Sequence, residues 1–163
     1  MWQLKEAETI SQEIVEAVKP YCERIVVAGS IRRKKRWVND IDIVLIPSNQ
    51  GMVGYTLTDL MGRCKMGGGK LMRFQHPKGI KVDIYIATLA TWYTLVLIRT
   101  GSASHNIKLC RIARQKGMKL HADGSGIGTF IDCSGGEALS PMASEKQVFD
   151  TLELPWVPPE KRV

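Results

Sequence analysis

The segment Asp40–Pro47, DIDIVLIP, constrains the fold more than any other stretch of the chain. Side chains alternate faces along a strand, so Asp40 and Asp42 share one side while Ile41 and Ile43 share the other. Beyond them Val44, Leu45 and Ile46 are apolar on both faces, as in a strand covered on both sides. Two carboxylates at the open end of such a strand are costly unless a cation sits between them. A third acid, Asp83, heads a second apolar strand, Ile80–Ala87 (IKVDIYIA). If the two strands are neighbours, three carboxylates converge. At ~5 Å and an effective dielectric of ~20, each like-charged pair repels by roughly 3 kcal/mol. Such a cluster takes up protons or recruits a divalent cation, and oxygen-only ligands favour Mg²⁺ or Mn²⁺ over zinc.

Upstream, the short strand Arg24–Ala28 (RIVVA) runs into Gly29-Ser30 and then the basic run Arg32–Arg36 (RRKKR). Glycine lets backbone approach a phosphate closely, a serine hydroxyl donates to it, and arginines supply charge. A phosphate cradle beside a carboxylate cluster makes chemical sense, one holding a triphosphate and the other its metals. The second glycine cluster, Gly67–Lys70 (GGGK), fails as a P-loop because Cys64 and Leu71 stand where glycine and a hydroxyl are needed. It reads as a hairpin turn.

The rest of the pattern predicts an α+β chain. Leu4, Ala7, Ile10, Ile14 and Val18 form one helical stripe that Pro20 ends. Gly51–Arg63 is compatible with a helix, and Leu71–Gln75 with a strand joined to Ile80–Ala87 through His76–Gly79. Helices are expected over Leu89–Ile98 and Ser102–Gln115, then paired strands over Met118–Ala122 and Thr129–Cys133. A last helix opens on a capping box, Ser144 with Gln147. The expected architecture is a mixed sheet flanked by helices over residues 1–90, followed by a small helical subdomain with a β-hairpin over 91–163.

The charge balance narrows the partners. Among 163 residues, 23 Lys and Arg against 16 Asp and Glu give a net charge of +7, which points to a polyanion. No apolar run approaches the ~20 residues of a membrane span, and residues 1–20 carry charges throughout, unlike a signal peptide. The chain is therefore expected to be intracellular, with no membrane partner. Cys22, Cys64, Cys110 and Cys133 show no spacing that meets His76, His105 and His121 as a zinc site, and read as reduced thiols. Of Trp2, Trp37, Trp92 and Trp156, only Trp37 lies beside the phosphate turn, where it could stack on a base. His105 could touch substrate, although a structural role suits it better.

Glycine-serine followed by DxD and a later strand aspartate resembles the nucleotidyltransferase superfamily, and the surrounding residues resemble the family X DNA polymerases, the polymerase β-like group. GSIRR at 29–33 is similar to that family's triphosphate-binding turn, and NDIDIVLIP at 39–47 to its metal-binding strand. KVDIYIA at 81–87 resembles the strand of its third aspartate, and TGSASHN at 100–106 the segment lining the nascent base pair. KGMKLHADG at 116–124 and SEKQVFDTLELPWVPPEKR at 144–162 resemble the end of its last subdomain. The resemblance implies a palm (1–90) and a nucleotide-selection subdomain (91–163), as in minimal viral members, without the lyase and helix-hairpin-helix domains of longer relatives. It implies a monomeric DNA polymerase working in short-gap filling or repair, with two Mg²⁺ ions that Mn²⁺ can replace. Asp40, Asp42 and Asp83 would be catalytic metal ligands, with Asp83 nearest the primer 3′-hydroxyl. Gly29, Ser30, Arg33 and Asn39 would face the triphosphate, and Thr100, Gly101, Ser102 and Asn106 the sugar and base.

Grip on DNA is expected from Arg32, Lys34, Lys35, Arg36, Lys81, Lys108, Arg111 and Lys119, with Lys65, Lys70, Arg73, Lys78, Arg114 and Lys116 as further charges. Three departures stand out. Ile98-Arg99 replaces the family's aromatic pair before Thr-Gly, Cys110 stands where an arginine often contacts the template base, and Lys81 replaces the arginine two before the third aspartate. The first two keep open a template-independent terminal transferase. A non-catalytic nucleic-acid-binding module is the other alternative.

Overall fold

A computed structural model describes residues 1–130 and 137–163. The chain divides into two compact units, Met1–Ala87 and Thr88–Val163, and its architecture is mixed α+β. In the first unit, β1 (Trp2–Gln3) leads into α1 (Leu4–Val18), whose start is capped by Gln3 N–H donating to Glu6 Oε2 at 3.1 Å. Then come β2 (Cys22–Val27), a single helical turn α2 (Gly29–Arg32), β3 (Trp37–Val38) and β4 (Asp40–Pro47). After α3 (Gln50–Met61) follow β5 (Met66–Gly67), β6 (Leu71–Gln75) and β7 (Lys81–Ile86). Five strands form one sheet in the order β2-β4-β7-β6-β5, with β4 and β7 parallel and the other pairs antiparallel. β1 and β3 pair separately as a two-stranded ribbon that nothing in the local pattern announced.

One face of the sheet is the core. Ile41, Ile43 and Leu45 of β4, Val82 and Ile84 of β7 and Phe74 of β6 pack with Ala7, Ile10, Ile14 and Val18 of α1 and Val53, Leu57 and Met61 of α3. That packing explains why α3 is fully helical although Gly51, Gly54, Thr56 and Thr58 give it low propensity. Its buried residues recur at every fourth position, and Asn49 Oδ1 caps it by accepting from Met52 N–H at 3.1 Å. Gly67–Lys70 lies at the β5–β6 hairpin, closed by Gly68 N–H donating to Leu71 O.

The second unit contains α4 (Trp92–Thr100), α5 (Ala103–Gln115), β8 (Met118–Leu120), β9 (Ile127–Phe130), β10 (Glu137–Ser140) and α6 (Glu145–Thr151). The last three strands make an antiparallel sheet in the order β10-β9-β8, one strand more than the expected hairpin. Residues 131–133 of the expected second strand, Cys133 included, lie outside the described residues. α4 begins at Trp92 rather than Leu89, because Thr88 and Thr91 bond to each other's backbone N–H groups, at 3.3 Å and 3.0 Å, and hold the chain out of the helix. β8 stops at Leu120, where Gly124 N–H returns to His121 O. Ser144 caps α6 as expected, but Gln147 Oε1 reaches Ala143 N–H instead of completing the box on Ser144. The core of this unit is Leu97, Ile98, Leu109, Ala113, Leu120, Ile127, Val148, Phe149 and Leu152.

Candidate active site

The face of the five-stranded sheet opposite α1 and α3 carries charge in ordered rows. Parallel pairing sets Asp40 opposite Lys81 and Asp42 opposite Asp83, and the β6–β7 pairing adds Gln75 to the first row and Arg73 to the second. The rows therefore read Asp40, Lys81, Gln75 and Asp42, Asp83, Arg73. A third row, Val44, Tyr85 and Leu71, follows. Neighbouring strands are ~4.8 Å apart, so all three acids lie on one small patch.

Protein cations hold two of them. Arg73 forks onto Asp83, Nε donating to Oδ1 at 2.7 Å and Nη2 to Oδ2 at 2.9 Å, and this raises the arginine's already high pKa. Asp83 is almost fully buried. Lys81 Nζ lies 2.9 Å from Asp40 Oδ2 and 3.9 Å from Asp83 Oδ2, and its pKa rises through the bond to Asp40. Asp42 has Tyr85 as hydrogen-bond partner instead. Burial first, then the charges of Asp40 and Asp83, push its carboxyl up to about 7.

Gly29 comes against this acid from β2. Ala28 N–H donates to Asp42 O at 2.8 Å, and any side chain at Gly29, whose φ is +60°, would collide with the Asp42 carboxylate. A separation of thirteen positions in sequence thus becomes direct contact. The Ser30 hydroxyl next to it is buried and has no hydrogen-bond partner among the described residues. Arg33 follows, its pKa lowered by burial and countered by the charges of Asp42 and Asp40. Asn39 is exposed just before β4.

In donor chemistry the patch suits a hard divalent cation: it offers three carboxylates, and burial first, then the two acidic neighbours, raises the pKa of Asp42 to about 7. Yet no three His, Cys, Asp or Glu side chains among the described residues are gathered as a ligand set. Arg73 and Lys81 lie on carboxylate oxygens of Asp83 and Asp40. Arg73, expected among the DNA-gripping charges, belongs to this patch. Its one sequence signal was its place in a strand flanking Asp83. Tyr85 also went unread, although it lies two residues beyond Asp83 and so on the same face.

Other expected contacts fall elsewhere. Lys34 pairs with Glu8 at 2.6 Å, Arg36 stacks on the half-exposed Trp37 with its guanidinium 5.7 Å from the ring, and Lys81 is engaged as described. Arg32 and Lys35 flank this run, half-buried. In the second unit Thr100 is fully buried, its hydroxyl donating to Val96 O at 2.6 Å. Gly101 ends α4 at φ +69°, Ser102 Oγ accepts from His105 N–H at 3.2 Å, and Asn106 Nδ2 donates to Ile98 O at 2.8 Å. Lys108, Arg111 and Lys119 are exposed on α5 and β8. His105 is buried against Phe149, with ring centroids 5.9 Å apart.

Comparison with known proteins gives the same direction. Residues 95–163 match the model of the DNA polymerase beta thumb. The chain is 28% identical to a DNA polymerase lambda of Arabidopsis thaliana, over 98% of its own length and 35% of that protein. It is 26% identical to the DNA polymerase/3′-5′ exonuclease PolX of Bacillus subtilis (strain 168), over 94% of this chain and 27% of the relative. A rat DNA polymerase lambda is 27% identical over 84% of this chain and 28% of its own. The chain thus spans about a third of the length of the curated relatives it matches. It is a family X DNA polymerase-like chain, with a polymerase beta thumb-like segment from residue 95 to its last residue.

Proposed function

We propose that this chain is a divalent-metal-dependent nucleotidyltransferase that extends a primer 3′-hydroxyl, as a family X DNA polymerase does. The observation that carries the reading is the sheet face that brings Asp40, Asp42 and Asp83 into adjoining rows against the Gly29–Ser30 bend. In this reading Asp40, Asp42 and Asp83 hold Mg²⁺ or Mn²⁺, which when bound neutralises charge on the transferring phosphoryl group. The Ser30 hydroxyl, buried and without a partner among the described residues, donates to a phosphate oxygen, and Arg33 adds charge beside it. Gly29 keeps the backbone close enough for both. Arg73 fixes the Asp83 carboxylate so that it meets the primer hydroxyl in one orientation. The partners are DNA and nucleoside triphosphates, with palm and nucleotide-selection roles for residues 1–90 and 91–163. Asn106 would test the minor-groove edge of the new pair, where every correct pair presents an acceptor.

Primer extension with each nucleotide, in Mg²⁺ and in Mn²⁺, tests this. Asp42→Ala and Asp83→Ala are each expected to abolish incorporation while DNA binding, read by fluorescence anisotropy, is retained. Turnover surviving in both variants overturns the metal assignment. Tailing of single strands without a template would move the reading to a terminal transferase.

A further inference from the structure

The patch contains two cations of its own, and they are held in different ways. Arg73 makes two short, parallel hydrogen bonds to both oxygens of a carboxylate that is only 3% exposed. Pulling it away would leave the buried Asp83 only the more distant Lys81, at 3.9 Å, which is costly for a buried ion. Lys81 is different. Its side chain is 41% exposed, it makes one contact within hydrogen-bond range, at Asp40 Oδ2, and it leans towards Asp83 Oδ2 at 3.9 Å. An ammonium on a flexible stem is a point charge with no fixed fork, and an exposed pair of this kind is weak. Its nitrogen therefore takes the ground between two of the three acids, where it can be replaced.

We propose that Lys81 is a displaceable internal counter-cation, whose ammonium joins Asp40 to Asp83 in the metal-free chain and swings to solvent when a divalent cation binds the trio. This rests on the metal-binding reading above and adds to it: Lys81 sets how much free divalent cation the site needs before it fills. It also gives position 81 a role other than gripping DNA. Arg73 stays in place throughout and keeps Asp83 aimed.

The test is Mn²⁺ binding to the full chain, followed by the electron paramagnetic resonance signal of free Mn²⁺, without nucleotide or DNA. Lys81→Gln removes the charge and keeps most of the side chain. It should bind Mn²⁺ roughly tenfold tighter, since the dication no longer has to displace a unit charge paired with Asp40. Lys81→Arg, which keeps the charge and adds a fork, should show no gain and bind Mn²⁺ as weakly as the unsubstituted chain or more weakly. Asp42→Asn in either background should abolish the tight binding and so place it at the trio. Circular dichroism melting confirms that each variant is folded. If Lys81→Gln leaves an Asp42-dependent affinity unchanged or weaker, the proposal is overturned while the metal site stands. If Mn²⁺ binding ignores Asp42 altogether, both the proposal and the metal assignment fall.

Discussion

Among the described residues, each unit sets an arginine on a buried carboxylate, and the two pairs have different surroundings. In the second unit Arg162 is completely inaccessible, with Nη1 donating to Glu145 Oε1 at 3.0 Å and Nε to Val157 O at 2.9 Å. Phe149 and Trp156 lie under its guanidinium, 5.4 Å and 5.0 Å from the ring centroids, and meet each other edge to face. Aromatic faces cover this pair. In the first unit Arg73 grips Asp83 as closely, but Asp40 and Asp42 share the patch, and Asp42 keeps its proton up to about 7. One pair closes a core. The other sits in a patch with acid to spare, an arrangement that costs stability and makes sense where a further cation is to be received.

The largest effect that would break this contrast is in the second unit. Arg162→Met removes the guanidinium that bonds both Glu145 and Val157 O and should cost about 3–5 kcal/mol in urea unfolding, with part recovered when Glu145→Gln is added. A loss under about 1 kcal/mol would mean the pair is no latch, since that is what exposed pairs contribute. Next comes Asp42→Asn in chelator. Between about pH 4, where an unfolded aspartate ionises, and about 7, the folded chain holds a proton that the unfolded chain has released. Wild-type stability therefore falls as pH rises through that window, and the cost is fully present above it. Asp42→Asn should match wild type at low pH and exceed it by about 2–4 kcal/mol at pH 8. A difference that is the same at both pH values would show that Asp42 ionises unhindered. The smallest effect is expected for Arg73→Gln, which should lower the urea midpoint less than Arg162→Met, because Arg73 is one-third exposed and water can reach it. Equal losses would erase the distinction between the two pairs.

Much of this was legible locally. The stripe of α1, the alternation in β4 and the cap at Ser144 each follow from neighbours in sequence, and each element forms about where the pattern puts it. The same alternation placed Asp40 and Asp42 on one face. The sequence was less decisive elsewhere. α3 is helical because Val53, Leu57 and Met61 are buried, in spite of its glycines and threonines. Thr88 and Thr91 delay α4 by bonding to each other. Lys34 and Lys81, read as charges for DNA, found Glu8 and Asp40 from elsewhere in the fold.

The sequence alone determined that β4 and β7 would each carry acid at the head of an apolar run, since side-chain alternation is a property of the single strand. Tertiary structure decided that β7 lies parallel to β4 with Asp83 directly opposite Asp42, and that β6 brings Arg73 into the same row. Register and strand order come from hydrogen bonds and burial between segments far apart in the chain, and a shift of one residue would have sent every one of these side chains to the other face.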